Sequence, residues 1–375
     1  MFGIYIHIPF CKKACNYCDF HFSTSFKTKD SILKGISEEL IIRKNELKGG
    51  VNTLYFGGGT PSVLSKQELN KIINVVKENY LLSEDIEITF ECNPDDLTTN
   101  KLKDFKHLGV NRLSIGVQSF DNTVLSWMNR THSEQKTLEA VQKAQDLGFS
   151  NISIDLIYGL PTFLNRNWQL DIDKALALKV QHISSYNLTN EKNTALYNDI
   201  KKHKYTMPDQ DYCSEEYLLL IKSLAQVGFS QYEVSNFSLN GYESLHNSSY
   251  WSGTPYLGIG PSAHSFDGHR TRRWNVSNNN SYCRELSNNN FYETETLKDV
   301  DLANEIILLG VRSFNGIAIE KISKLLSDKQ FSAFQKKLNK LEENHLIQQR
   351  DKKVFIESKR LIMSDYIARE LFILP

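Results

Sequence analysis

Three of the chain's six cysteines fall in one short run, Cys11-Lys-Lys-Ala-Cys15-Asn-Tyr-Cys18, a C-x3-C-x2-C spacing close to the N-terminus. Thiolates are soft ligands, suited to iron–sulfur clusters and to zinc. A four-iron cluster on three cysteines keeps one iron open for a further ligand, much as a catalytic zinc keeps one open position. The first reading is therefore a [4Fe–4S] cluster on Cys11, Cys15 and Cys18. Zinc competes, but it would want a fourth ligand, for which His7 or His21 would have to serve. Disulfides are disfavoured in a reducing compartment. Cys92, Cys213 and Cys283 stand alone and read as small buried hydrophobes.

Elements of a definite kind must position such a loop. Strand-like runs rich in β-branched and aromatic residues occur at Gly3–Pro9, Asn52–Phe56, Ile86–Glu91, Arg112–Gln118, Ile152–Tyr158 and His182–Leu188. Segments of helical period lie between most of them, at Ser31–Lys44, Lys66–Asn79, Thr99–Leu108 and Glu134–Leu147, the last two ending on Gly109 and Gly148. Strands that alternate with helices predict parallel βα units, and the reading is an α/β fold built on a partial (βα)6 barrel. Polar and glycine-rich residues gather at the C-terminal ends of these strands, where barrel active sites lie. Beyond residue 200 the rhythm gives way to loop-rich aromatic segments, Gly228–Phe237, Gly241–Trp251 and Tyr256–Phe266. The Asn/Ser-rich stretch Asn275–Asn290 reads as a connection. Helical patterns at Asp301–Val311, Ile319–Leu326 and Phe331–Asn344, a hairpin over Leu346–Ile356 turning at Asp351–Lys352, and a last helix from Lys359 predict a winged-helix-like C-terminal module. The expected division is residues 1–200 for the barrel, 201–290 for an extension of it, and 291–375 for the helical tail.

Of the 375 residues, 40% are hydrophobic and 23% charged, with 44 basic against 44 acidic side chains. That balance gives no support to broad nucleic-acid or anionic-membrane binding. There is no run of the ~20 apolar residues a membrane helix needs. The N-terminal residues lack the basic region and cleavage site of a secretory signal. The expectation is a cytoplasmic protein.

The cysteine spacing resembles that of the radical S-adenosylmethionine (SAM) superfamily. The resemblance implies that Tyr17, before the third cysteine, lies by the adenine of SAM. It further implies that Gly57-Gly58-Gly59-Thr60-Pro61 after the second strand receives the methionine amino group. Glycines suit that role because they let backbone approach a ligand closely, though a plain tight turn is the ordinary reading of such a run. The segments YIHIPFC at 5–11, FECNP at 90–94, RLSIGVQSF at 112–120 and IDLIYGLP at 154–161 narrow the match to the oxygen-independent coproporphyrinogen oxidase branch. Carried over by position, the SAM contacts are Tyr5, Gly58, Gly59, Thr60, Glu91, Gln118, Arg130 and Asp155. Carboxylates suit a cationic amine or a ribose hydroxyl, and an arginine can clamp a carboxylate. The plainer readings are a cap or salt bridge for Glu91 and Asp155, and surface polarity for Gln118 and Arg130.

Three features depart from the oxidases of that branch. Phe20 stands where their motif, C-x3-C-x2-C-x-C, has its fourth cysteine; their N-terminal extension is missing; and residues 246–251 read His-Asn-Ser-Ser-Tyr-Trp. The H-N-x-x-Y-W motif resembles the HemW-type heme chaperones. The implied function is to bind a [4Fe–4S] cluster, SAM and heme, and to deliver heme to apoproteins, membrane proteins only as acceptors, with an electron donor for the cluster. The alternative is an oxygen-independent coproporphyrinogen III dehydrogenase acting through a 5′-deoxyadenosyl radical. No residue is assigned a catalytic role, and coproporphyrinogen oxidase activity is not expected. His246 is the implied axial ligand to heme iron, with Tyr250 and Trp251 covering the macrocycle, and His264 in GIGPSAHSF is its rival.

Overall fold

In a computed structural model, which describes residues 2–374, the first six strands are β1 (Phe2–Ile8), β2 (Val51–Gly58), β3 (Leu82–Cys92), β4 (Arg112–Gln118), β5 (Ile152–Tyr158) and β6 (His182–Asn187). They pair in sequence order and all in parallel. The crossovers that parallel pairing requires are supplied by α1 (Lys29–Ile42), α2 (Lys66–Asn79), α3 (Thr99–His107), α4 (Asn122–Trp127), α5 (Glu134–Asp146) and α6 (Trp168–Ala177). The starts of α2, α3, α5 and α6 are set by side chains that accept a backbone N–H: Ser65, Thr98, Ser133 and Asn167. Strands β4 and β5 and helix α2 keep the bounds expected from sequence, whereas β3 begins at Leu82 rather than Ile86.

The pleat sorts each strand into two faces. Ile4, Ile6, Ile8, Leu54, Phe56, Phe90, Leu113, Ile115, Ile154 and Leu156 join a contiguous core with Ile36, Leu40, Ile72 and Val141 of the helices. Alternating with them, Tyr5, Tyr55, Thr89, Glu91, Ser114, Asp155 and Ser184 stand side by side on the other face, in registers Tyr5↔Tyr55, Tyr55↔Thr89, Glu91↔Ser114 and Asp155↔Ser184. That face is the polar concavity of the sheet.

Next come α7 (Ala195–Lys201), α8 (Gln210–Gln226), β7 (Ser230–Gln231), β8 (Asn236–Ser238), α9 (Leu245–Trp251), β9 (Tyr256–Ile259), β10 (His264–Phe266), β11 (Thr271–Asn275), α10 (Asn279–Glu285) and β12 (Tyr292–Thr296). Strand β8 runs antiparallel to β6, while β9 lies parallel to β1 and leads into the antiparallel β10, β11 and β12. The result is a twelve-stranded sheet extended at both edges. The segment read as loop around residue 246 is instead helix α9. Ser244 caps it, and Glu87 of β3 accepts the N–H groups of Leu245 and His246, both at 3.1 Å. Likewise the Asn/Ser-rich stretch is more than a connection, because α10 buries Tyr282 completely.

One buried ion pair locks the added strands to α1. Glu39 and Arg43 pair at 2.9 Å with their side chains 0% and 1% exposed. Glu39 also accepts from Gly260 N at 2.8 Å, Tyr282 OH at 2.7 Å and Asn275 Nδ2 at 2.8 Å. Arg43 donates to Gly258 O at 2.8 Å and Ser265 Oγ at 3.0 Å. Every charge taken out of water is thus matched, which such a burial demands.

The remaining elements are α11 (Asp299–Val311), β13 (Ile317–Ala318), α12 (Ile319–Ser323), α13 (Asp328–Glu343), β14 (Gln348–Arg350), β15 (Lys353–Phe355) and α14 (Ser364–Leu371). The three strands form a separate sheet in the order β13-β15-β14. Its hairpin turns at Asp351 and Lys352, both with positive φ, the conformation that matches strand twist in a two-residue loop. The element order is that of a winged helix, and Ile307, Phe334, Leu338 and Ile367 belong to the same contiguous core as the large sheet.

Candidate functional site

The cysteine loop leaves the end of β1 and is closed at its base by Cys11 N donating to Ser23 O at 3.0 Å and Ser23 N to Pro9 O at 2.9 Å. Its tip is held by the segment after α4. Asn129 Nδ2 donates to Ala14 O at 2.6 Å, Asn16 Nδ2 to Trp127 O at 2.6 Å and Asn16 N to Met128 O at 3.3 Å. Lys12 pairs with Asp96, which also takes the Ser62 hydroxyl at 2.6 Å. The loop is thus fixed from the end of α4, from the turn after β3 and from its own base.

The glycine run supports the same loop. Gly59 N donates to Ile8 O at 2.9 Å and Thr60 N to Phe10 O at 2.8 Å. A Cβ on Gly59 would lie 2.8 Å from the backbone N and O of Phe10. Gly58 takes φ +107°, and a Cβ there would strike the ring of His7 at 2.5 Å. These glycines serve the fit of the cysteine loop as well as access for a ligand.

Cys11, Cys15 and Cys18 share one cavity of about 560 Å³ with Tyr17, Gly58, Gly59, Thr60, Glu91, Gln118, Arg130 and Asp155. Thr60 Oγ1 donates to Cys11 Sγ at 3.3 Å and Arg130 Nη1 to Cys15 Sγ at 3.4 Å. Arg130 is otherwise anchored by Asn93 Oδ1 at 2.8 Å and Gly116 O at 2.7 Å, while its Nε is buried without a partner. Gln118 ends β4 at φ 69°, a left-handed conformation uncommon for its residue type and typical of functional positions. Glu91 accepts from Tyr55 OH at 2.8 Å and Gly58 N at 3.2 Å, and Asp155 from Ser114 Oγ at 3.3 Å. Burial pushes the Glu91 carboxyl up to about 7 and the Asp155 carboxyl up to about 6. A cavity with two such carboxyls favours a cationic guest.

Two expected contacts lie elsewhere. Tyr5 donates to or accepts from His7 Nδ1 at 3.1 Å and faces a second cavity, of about 530 Å³, which shares Asp19 and Phe20 with the first. His246 is 2% exposed and lines neither. Its Nδ1 meets Thr53 Oγ1 at 2.7 Å and its Nε2 meets Tyr250 OH at 2.8 Å, so both ring nitrogens are engaged. Burial drives its pKa down to about 3. His264, the rival, lies exposed on β10 in the second cavity. The indole N–H of Trp251 is buried without a partner.

Residues 5–174 match the Radical SAM superfamily. The heme chaperone HemW of Bacillus subtilis (strain 168) is 33% identical over 373 residues, covering 98% of both chains. That of Lactococcus lactis subsp. lactis (strain IL1403) is 34% identical over 362 residues, covering 96% of this chain and 93% of that one. This chain belongs to the HemW family of radical SAM proteins. The structure of coproporphyrinogen III oxidase (HemN) from Escherichia coli, a radical SAM enzyme, superposes with a TM-score of 0.84 over 99% of this chain and 90% of its own, at 22% identity, which shows a shared fold.

Radical SAM membership implies a [4Fe–4S] cluster and SAM, and the residues present fit both. Three thiols line one cavity, Arg130 donates to the Cys15 thiol, and two carboxyls that would offset a cation line the same cavity. The zinc alternative lacks its fourth ligand: His7 and His21 line the second cavity, where His7 Nε2 is tied to His21 O at 2.9 Å and His21 Nε2 to Asn279 Oδ1 at 2.8 Å. Of the solitary cysteines, Cys92 is buried, while Cys213 and Cys283 pack half-buried against the core. The residues of this HemW-family chain that sequence reasoning passed over are Tyr55, Ser114, Asn93 and Glu87. Tyr55 was signalled only by strand alternation, Ser114 and Asn93 lie inside the quoted segments RLSIGVQSF and FECNP without having been singled out, and Glu87 had no local signal.

Proposed function

We propose that this protein carries heme to apoproteins and that its cysteine loop holds a [4Fe–4S] cluster beside SAM. The observation that carries the cofactor half is the single cavity uniting Cys11, Cys15 and Cys18 with Glu91, Gln118, Arg130 and Asp155. In this reading Cys11, Cys15 and Cys18 would hold the cluster, with SAM beside it. The cluster would supply an electron to SAM, and the protein's part is to hold both in register. Glu91 and Asp155 offset the positive charge of SAM, Gln118 gives a rigid amide, and Arg130 steadies Cys15. Tyr17 packs beside the adenine.

The heme half is supported by the names of the B. subtilis and L. lactis relatives, at 33% and 34% identity, and by Phe20 in place of the oxidases' fourth cysteine. Phe20 is 68% exposed and lines both cavities. Heme is cargo here, and acceptor apoproteins together with an electron donor for the cluster are the partners. The experiment is a side-by-side measurement on anaerobically reconstituted protein: heme titration by absorbance and a coproporphyrinogen III oxidation assay. Heme uptake without porphyrinogen oxidation is the expected result, and robust formation of protoporphyrinogen IX would overturn the reading in favour of an enzyme.

A further inference from the structure

Two cavities meet at the cysteine loop, and the SAM contacts named above other than Tyr5 occupy only one of them. The second, about 530 Å³, falls within the ~300–1,000 Å³ range of small-molecule and cofactor sites. Its walls are aromatic. Tyr250 of α9 stands edge-on to Tyr256 of β9 with 4.6 Å between ring centroids, and Phe266 of β10 pairs with Tyr256 across the strands. Arg272 of β11 brings a guanidinium, paired with Glu305 of α11 at 2.7 Å while 43% of its side chain stays exposed. Aromatic walls beside a guanidinium that keeps 43% of its side chain exposed suit a flat, apolar guest that carries carboxylates, the cavity's own carboxylates being Glu305, paired with Arg272, and Asp19.

Three histidines line this cavity, and they differ in what their rings already do. His7 is held on both nitrogens, by Tyr5 OH at 3.1 Å and His21 O at 2.9 Å. His21 Nε2 is held by Asn279 Oδ1 at 2.8 Å. His264 is exposed, its ring stacked on Trp274 at 6.2 Å and 27°, and it enters none of the side-chain hydrogen bonds among the described residues. A neutral imidazole with an open nitrogen is the form that ligates iron. The strand that carries His264 is itself held rigid, since Ser265 Oγ accepts from the buried Arg43 at 3.0 Å.

We propose that heme lies in this second cavity, with His264 ligating the iron, Arg272 pairing with a propionate, and Tyr250, Tyr256 and Phe266 against the macrocycle. The proposal rests on the heme-carrying function given above. Ligation donates the imidazole lone pair and leaves the oxidation state of the iron unchanged. His246 is then a positioning residue. From the preceding turn of α9 it holds the Tyr250 hydroxyl at 2.8 Å and so sets one wall. Heme so placed lies against Asp19 and Phe20, on the far side of the loop that carries the cysteines.

The test is an anaerobic titration of cluster-loaded protein with hemin, following the Soret and visible bands of the wild type and of His264→Ala, His246→Ala and Arg272→Ala. Unchanged cluster absorbance and circular dichroism establish that each variant is folded. His264→Ala is expected to lose the imidazole-ligated bands and to bind hemin about tenfold or more weakly, which corresponds to about 1.4 kcal/mol, and added free imidazole should restore the bands. Arg272→Ala should keep the wild-type bands and lose affinity. His246→Ala should keep the bands with a smaller loss. Wild-type bands and affinity in His264→Ala, or loss of the imidazole bands in His246→Ala alone, would overturn the proposal. Failure of the wild type to take up hemin at all would instead overturn the heme-carrying function on which it rests.

Discussion

Glu91 of β3 and Asp155 of β5 stand on the same polar face, one strand apart, and burial rather than any partner dominates their behaviour. For Glu91 the sign of the linkage follows directly. A carboxyl whose folded pKa is raised from 4.5 to about 7 holds its proton longer in the folded chain. Its stabilising contribution is complete below pH 4.5 and is lost as pH rises through about 7. In SAM-free protein, wild type should therefore lose stability relative to Glu91→Gln across that window, by no more than about 3 kcal/mol since cavity water tempers the burial. Urea denaturation of both proteins at several pH values measures it, and a difference that stays flat with pH would remove the assignment. At the cysteines the expectation is simpler. Cys15→Ala should lose the visible cluster absorbance, where the wild type reconstitutes with about four irons and four sulfides per chain; stoichiometric stable zinc in the wild type would contradict it. These residues were legible in sequence because strand alternation and strand ends place them together. Tyr5 was not separable from them, because alternation puts it on the same face and says nothing of which of two cavities it meets.

Among elements, the turn after β2 and helix α1 do the most to shape the site. Gly59→Ala would drive a Cβ into the Phe10 backbone at 2.8 Å, with no flexible side chain able to yield. Cluster content and SAM affinity should fall together in that variant; intact iron content with only SAM affinity lost would mean that the glycine serves ligand access alone. Glu39→Ala should cost about 3 kcal/mol, because the buried Arg43 keeps only the half-exposed Glu46 as charge partner and Gly260 N and Tyr282 OH lose their acceptor. Chemical denaturation checks this, and a loss under about 1 kcal/mol would show that the network is dispensable. The six parallel strands and their main helices were readable from β-branched runs and 3.6-residue periodicity. Helix α9 was not. Its seven residues are too few to show a period, and its start depends on Glu87, more than 150 positions away in the chain by the 159-residue separation from His246. The buried role of Tyr282 was equally hidden, since its partner Glu39 lies 243 residues away.

On the scale of the whole molecule, the sheet continues past both edges of its six parallel strands, and the extensions build a second cavity against the cysteine loop. The first cavity is built almost wholly by the βα units, with Ser235 before β8 added at its edge. The second draws on β1, α9, β9, β10, β11 and α11, so it exists only when the later half of the chain is folded onto the first. That arrangement suits a carrier, in which cofactors and cargo sit on two sides of one loop and Phe20 faces both. Delivery is what distinguishes a carrier from a protein that merely binds heme. Heme-loaded protein, freed of excess heme, should be mixed anaerobically with an apo-hemoprotein acceptor and the Soret spectrum followed in time. The spectrum of the holo-acceptor should grow as that of the carrier declines, with the cluster absorbance retained. Heme that stays on the carrier, with the acceptor remaining empty although it takes up free heme, would contradict the account.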